Sequence, residues 1–278
     1  VAIVGGGPSG VEIAGALAEM KRYVLPKDYP YLDSSLFRIH LLDASPRLLQ
    51  AMSERSSETA ARGLREMGVE IHTRTMVSDY DGKTLRLSDG SEMKTRTVIW
   101  VSGIVANAVE GIQAEALGRG RRILVDEHNE VKGLTNVFAI GDQCLMTADP
   151  NYPNGHPQLA QVAIQQARLL ARNLRARQEG KPLSPFHYKD LGSMATIGRN
   201  RAVAEIGGAK WGGFTAWMLW LVVHLRSILS VRNKVIVLLN WIWNYVTYDR
   251  SLRLILKRNI PVEPYHQREQ RERREHEE

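Results

Sequence analysis

Residues 1–18 read VAIVGGGPSGVEIAGALA, and no other stretch limits the possible fold so strongly. Four apolar residues, Val1, Ala2, Ile3 and Val4, predict a short buried strand. A glycine-rich turn follows, and a helix opens at Pro8 or Ser9. Gly5, Gly7 and Gly10 stand at G-x-G-x-x-G spacing. Each answers a separate demand of a dinucleotide pyrophosphate. Gly5 turns the chain tightly off the strand, Gly7 lets the backbone approach the phosphates, and Gly10 lets the helix pack on the strand. The helix N-terminus, opened by Pro8, offers free N–H groups and a partial positive charge to the anion. The bare motif is common; its place between an apolar strand and an Ala-rich helix gives it weight. The competing reading is a plain glycine-rich turn. A parallel strand wants neighbours on both sides. The chain opens at Val1 already inside such a strand, so a preceding segment is expected in the natural protein.

Lys21 to Ser35 holds Pro26 and Pro30 and reads as a surface excursion. A second strand, Phe37 to Leu42, ends at Asp43. An acid at the tip of this strand suits the adenosine ribose hydroxyls and repels a 2′-phosphate, so Asp43 predicts NADH over NADPH. Arg47 nearby could soften that preference, and a turn or helix cap is the plainer role for Asp43. Ser53 to Met67 reads as an amphipathic helix stopped by Gly68. Short alternating runs with turns at Asp81-Gly82 and Asp89-Gly90 predict a small antiparallel insertion. A return strand, Thr97 to Val101, ends in Ser102-Gly103, where backbone could lie against cofactor.

Further on, Ile123 to Val125 and Asn136 to Ile140 read as strands, the second closing on Gly141-Asp142. A carboxylate at a strand's carboxyl end suits a ligand hydroxyl. His156 to about Arg177 reads as one helix, its first turns carrying Gln161, Gln165 and Gln166. Gln161 and Gln165 share a face. Neutral amides there could bond a carbonyl-bearing ligand; a solvated helix face is the plainer alternative.

The chain has 278 residues, enough for two domains, and a net charge of +7, which favours an anionic partner. Cys144 is the only cysteine, which excludes an internal disulfide, a C-x-x-C pair and a thiolate metal cluster. No secretory signal is visible. Five of the six tryptophans lie between Trp211 and Trp243. Two apolar runs, Trp211 to Val223 and Val235 to Val246, would each form a helix of only about 20 Å, short of the roughly 30 Å of a hydrocarbon core. Arg226, Arg232, Lys234, Arg250, Arg253, Lys257 and Arg258 accompany them, against Asp249 alone. This pattern predicts helices lying in a lipid interface; the alternative is a helical hairpin buried at a homodimer interface. Basic residues among tryptophans and leucines argue against nucleic acid. The tail from Gln267 is highly charged.

GGGPSGVE, IWVSG, NVFAIGD and HPQLAQVAIQQA, followed by YKDLGSMATIGRNRAVAEI, resemble the type II NADH:quinone oxidoreductase family. These are single-chain, non-proton-pumping flavoproteins of the respiratory chain. The resemblance runs on through WLVVHLRSILSVRNKVIVLLNWIWNYVTYDRSLRLI. It implies an α/β fold: a partial, Rossmann-like two-dinucleotide-binding-domain flavoprotein with C-terminal amphipathic membrane-interface helices. Expected divisions are an NADH domain over 1–110, the second part of an FAD domain over 111–205, membrane helices over 206–262 and a charged tail over 263–278. Gly5, Gly7, Pro8 and Gly10 would hold the NADH pyrophosphate and Asp43 its ribose, with Gly103 beside the nicotinamide. Glu12 would lie close to nicotinamide and flavin and tune charge or relay a proton. Gly141 and Asp142 would hold FAD. Ala160, Gln161 and Gln165 would form the quinone side of the flavin. The contacts of Lys189 are left open. The family's first FAD loop has no counterpart here.

The implied reaction passes hydride from NADH to FAD and two electrons to a membrane quinone, with no protein nucleophile or metal. The implied place is peripheral, on the cytoplasmic face of a bacterial inner membrane. Alternatives are a sulfide:quinone oxidoreductase, which needs a cysteine pair; a dithiol reductase, which has no need of the amphipathic end; and a non-catalytic membrane-associated NAD-binding fragment.

Overall fold

The computed structural model describes residues 1–247 other than residue 108. Asp249, Arg250, Arg253, Lys257, Arg258 and the charged tail of the sequence reading lie outside the described residues. The chain divides into two compact units, Val1–Ser227 and Ile228–Glu278.

In the first unit, β1 (Ala2–Val4) is wholly buried, as its apolar sequence requires. It lies between β2 (Ile39–Leu42) and β7 (Val98–Trp100), parallel to both. With β3 (Val69–His72) outside β2, the sheet order is β3-β2-β1-β7. Two helices cover one face. α1 (Pro8–Glu19) begins with proline in its first turn and buries a stripe of small residues, Gly10, Val11, Ala14, Gly15 and Ala18. α3 (Glu54–Glu66) buries Ala60, Gly63 and Leu64. The other face is covered by the expected antiparallel insertion, β4 (Val77–Tyr80), β5 (Thr84–Leu87) and β6 (Glu92–Lys94). Asp81 accepts from the N–H groups of Lys83 and Thr84 to close the first hairpin.

Residues 21–35 are not a simple excursion. The first helix continues through a π-helical turn, Met20–Val24, into α2 (Leu25–Asp28). Pro26, which cannot donate, follows directly on the widened π-helical turn. The second strand begins at Ile39 rather than Phe37.

A second core gathers β8 (Ile123–Val125), β9 (Cys144–Met146) and α4 (Ala160–Gln178). The expected strand at 136–140 does not form. Asn136 takes a positive φ of 62°, and only an isolated bridge joins Phe138 to Glu130. The strand paired with β8 is β9. α4 starts at Ala160, not His156. His156 is buried, 3.0 Å from the Asp149 carboxylate, beside Tyr152, Phe186 and Tyr188. Burial opposes ionisation of Asp149, but hydrogen bonds from His156, Tyr188 N and Asn151 N outweigh it and hold its pKa below the ordinary value. Burial pushes the Tyr188 phenol up to about 12.

Besides the two-stranded β8-β9 pair, a third sheet of three or more strands was not expected: β10 (Ser193–Gly198), β11 (Arg201–Ile206) and β12 (Ala209–Gly212), all antiparallel. Ile197 and Val203 enter the same core as Ile3, Val11 and Ala14. A Cβ on Gly15 would lie 1.9 Å from Ile197 O, so α1 touches β10 backbone to backbone. Trp211 therefore belongs to a strand, and α5 (Gly213–Ser227) starts after it.

In the second unit, α6 (Val231–Thr247) has no buried residue. Among the described residues no helix is long and apolar enough to cross a membrane.

Candidate functional site

Three parallel strands bring their carboxyl ends to one edge of the sheet, where open α/β sheets take ligands. β1 runs into Gly5–Gly7, β2 into Asp43 and β7 into Ser102-Gly103. The three glycines of the motif meet different demands. Gly5 has φ +120°, and a Cβ there would meet Ser102 N at 2.9 Å. A Cβ on Gly10 would sit 1.7 Å from Gly5 O. Gly7 is different: it is exposed, and a Cβ would meet nothing within 4 Å. Packing forces the first and third positions, while open space lies over the middle one. Gly7 is also the N-cap of α1 and provides no side-chain cap, so the first-turn N–H groups are left for another acceptor. Pro8, exposed, follows at the first helical position. Gly103 is exposed with φ +76°.

Asp43 is half-buried. One carboxylate oxygen accepts from Gly6 N and the other from Ser45 N at 2.6 Å. The acid thus clamps the glycine loop to the end of β2. The Arg47 guanidinium turns back onto backbone carbonyls, 3.0 Å from Gln50 O and 3.4 Å from Leu49 O.

Glu12 points from α1 toward the third sheet, where its carboxylate accepts from Thr196 N at 3.3 Å. Gln161 and Gln165 do share a face of α4, but both amides are engaged by the chain itself. Gln165 donates to Lys189 O at 2.9 Å and accepts from Lys189 N at 3.1 Å. Gln161 donates to Gly192 O at 3.2 Å and accepts from Leu191 N at 3.0 Å. The two amides act like rungs, fastening residues 189–192 along the helix. This also places Lys189: its backbone is held and its side chain is exposed.

Gly141, Asp142 and Gln143 form a short 3-10 turn packed on α4. The Gly141 N–H donates to the fully buried Gln166 amide oxygen at 2.6 Å, and a Cβ on Gly141 would meet Ala163 Cβ at 3.1 Å. Asp142 is exposed, as is Ala160 at the start of α4. Gln166, the third amide of the helix, is therefore what holds the Gly-Asp turn. Its place next to Gln165, on the opposite side of the helix from solvent, was the available signal. Cys144 lies beneath the same amide, and burial pushes its thiol up. A buried, protonated thiol is unsuited to cysteine redox chemistry.

One cluster escaped the sequence reading. Glu205 on β11 accepts from Ser53 N, Ser53 Oγ and Ser56 Oγ at 2.9, 2.5 and 2.6 Å. It caps the start of α3 from the third sheet, across a separation in sequence that no local pattern reports.

Residues 1–167 match the family described as pyridine nucleotide-disulphide oxidoreductase, and residues 191–248 match the NDH2 C-terminal domain. The chain is 36% identical over 260 residues to the type II NADH:quinone oxidoreductase Ndh of Mycobacterium tuberculosis, covering 90% of this chain and 55% of that protein. It is 31% identical over 267 residues to the internal alternative NAD(P)H-ubiquinone oxidoreductase A1 of Solanum tuberosum mitochondria, covering 88% and 52%. The chain thus spans about half the length of these curated relatives. The structure of NDH2 from Plasmodium falciparum in complex with NADH superposes with a TM-score of 0.79 at 18% identity, over 88% of this chain and 65% of that one, a likeness of fold. With the glycine loop, the parallel sheet and these matches together, the chain belongs to the pyridine nucleotide-disulphide oxidoreductase family, in its type II NADH:quinone oxidoreductase branch.

Proposed function

We propose that this protein oxidises NADH and reduces a membrane quinone, with FAD as redox cofactor and without pumping protons. The observation that carries the reading is the open surface over Gly7 at the start of α1, with Asp43 clamped beside it. Gly5, Gly7, Pro8 and Gly10 take the NADH pyrophosphate, Asp43 the ribose, and Gly103 lies on the nicotinamide side. The residues also fit one side of a flavin site: an exposed Asp142 on a turn that Gln166 holds rigid, against the exposed start of α4 at Ala160. FAD bound there supplies the two-electron chemistry between NADH and quinone. Because their amides are spent on residues 189–192, Gln161 and Gln165 are read as positioning residues on the quinone side. Glu12, held by β10, sets the local charge between the NADH domain and the third sheet.

The amphipathic end supports delivery of a lipid-soluble substrate. α5 has 15 residues and α6 has 17, lengths of about 22 and 25 Å against a hydrocarbon core of about 30 Å. Phe214 and Val222 on α5 are exposed, as are Leu239, Ile242 and Trp243 on α6. Helices of this kind lie in the headgroup region rather than across it. We place the protein peripherally on the cytoplasmic face of a bacterial inner membrane, with the helices in contact with lipid.

The test is Gly7→Val, assayed as NADH oxidation by added quinone in lipid with FAD supplied. At φ −72° and ψ −176° valine is unstrained, and the space is open, so the fold should stand apart from an N-cap loss of about 1 kcal/mol. The KM for NADH should rise at least tenfold. An unchanged KM would remove the loop from the nucleotide site.

A further inference from the structure

Outside the proposed dinucleotide site, one group of side chains is arranged for chemistry that the redox reading does not use. His40 on β2 stands opposite Glu70 on β3 in register, and His72 follows on β3. Side chains alternate along a strand, so Glu70 and His72 emerge on one face of β3, and His40 emerges on that face of β2. It is the face that the antiparallel insertion covers, since Leu42, two residues beyond His40, packs against that insertion. His40 Nδ1 lies 3.2 Å from His72 Nε2 and 3.5 Å from Glu70 Oε2. All three ligand atoms fall within 4.8 Å of one another.

We propose that His40, Glu70 and His72 form a binding site for a divalent metal ion of the zinc class on the outer edge of the parallel sheet.

The spacing is the main argument. A tetrahedral ion with bonds of about 2.0–2.1 Å separates neighbouring ligand atoms by about 3.3–3.4 Å. Both separations from His40 Nδ1 bracket that value. The ligands stand on adjacent hydrogen-bonded strands, so the backbone holds them together before any ion arrives, and little ordering remains to be done on binding. Two imidazoles and one carboxylate suit zinc, copper or nickel better than magnesium or calcium, which prefer all-oxygen shells. The site can be reached from solvent, because β3 is the edge strand and the Glu70 side chain is 39% exposed. Arg38 holds the same carboxylate through Nε to Oε1 at 2.8 Å and Nη2 to Oε2 at 2.7 Å. Keeping only the Oε1 contact would leave Oε2 for the ion and fix the carboxylate's orientation, a common arrangement around bound metals.

The experiment is a calorimetric titration of the tag-free, full-length protein with Zn²⁺, repeated with Co²⁺ to read coordination from visible absorption. One saturable equivalent is expected, with the absorption of a four-coordinate Co²⁺ complex. Binding should weaken roughly tenfold or more in His72→Ala and vanish in the His40→Ala/His72→Ala double variant. His128→Ala, which removes the imidazole beside Asp126 and Glu127, should bind as the parent does. The parent should also melt at least 5 °C higher in saturating Zn²⁺, and the double variant should not. Should the alanine variants fail to fold, His72→Gln keeps the side-chain volume and serves in their place. No saturable binding, binding unchanged by the His72 substitutions, or binding lost only with His128 would each overturn the site.

Discussion

Asp43→Asn isolates charge from shape at the position proposed to choose between NADH and NADPH. A carboxylate offers about four acceptor positions. Gly6 N–H and Ser45 N–H take one on each oxygen, leaving about two for ribose hydroxyls. A 2′-phosphate brings a charge of about −1.5 to −2 to the same place. Unit charges 4 Å apart interact by about 1 kcal/mol in bulk water and about 4 kcal/mol at an effective dielectric of 20. For a half-buried acid facing a charge of about −1.5 the repulsion is about 1.5–6 kcal/mol, equivalent to about tenfold or more in kcat/KM. Asparagine removes the charge but turns its NH₂ toward one of the two backbone donors, costing about 1–3 kcal/mol. That second cost weakens both nucleotides alike and cancels in their ratio. The measurement is therefore kcat/KM for NADH divided by kcat/KM for NADPH, with a soluble quinone as acceptor. The ratio should fall at least tenfold, while both individual values also decline. A ratio within twofold of the parent's would refute the argument, however large the individual losses. Arg47→Ala should leave the ratio nearly unchanged, because the guanidinium is already turned onto the carbonyls of Leu49 and Gln50.

Four further outcomes follow from the geometry. Gln166→Leu preserves volume but strands the buried Gly141 N–H, and should cost about 1–3 kcal/mol in denaturant unfolding together with weaker FAD retention. For Glu205, burial pulls the pKa upward, yet the hydrogen bonds from Ser53 and Ser56 prevail and hold it below the ordinary value of 4.5. Its stabilising effect is then complete above pH 4.5 and lost as pH falls through the lower, folded value, so the deficit of Glu205→Gln in thermal melts should be plain at pH 7 and shrink below pH 4.5. Replacing Gln161 and Gln165 together by alanine should raise the KM for quinone more than that for NADH, since the pair fastens residues 189–192; equal effects on both would place the segment elsewhere. Leu239→Ser with Trp243→Ser removes two exposed apolar groups of α6, each worth about 1.5–3 kcal/mol when buried, so vesicle co-sedimentation should drop at least tenfold.

What could be read ahead of the structure was set by local rules. The apolar run at Val1–Val4, the glycine spacing and the helix after it fix β1, the loop and α1 without help from distant residues. Asp81-Gly82 and Asp89-Gly90 specify their hairpins in the same way. The misreadings arise where distant contacts decide. Residues 136–140 are apolar enough for a strand, but β9, further along, takes the place beside β8. Residues 193–206 alternate and contain the turn residue Asn200, which has φ 63°, yet the hairpin acquires its burial from α1 and α3. At the candidate site, residue types marked strand ends and a helix start, while their partners in the folded chain were hidden. The i, i+4 spacing of Gln161 and Gln165 gives a shared face, but only the folded chain shows that backbone 189–192 occupies it. His40, Glu70 and His72 come together through strand register, which sequence spacing alone does not reveal.

The contact of Gly15 with Ile197 bears on how such a protein can be cut. The two matched sequence families meet between residues 167 and 191, which invites division there. Yet Ile197 and Val203 complete the apolar core between α1 and the parallel sheet. A truncation at that seam would strip the small-residue stripe of α1 and leave Val11 and Ala14 facing water. The first module and residues 193–206 of the second therefore share one core, and a piece expressed without residues 193–206 should be prone to aggregate.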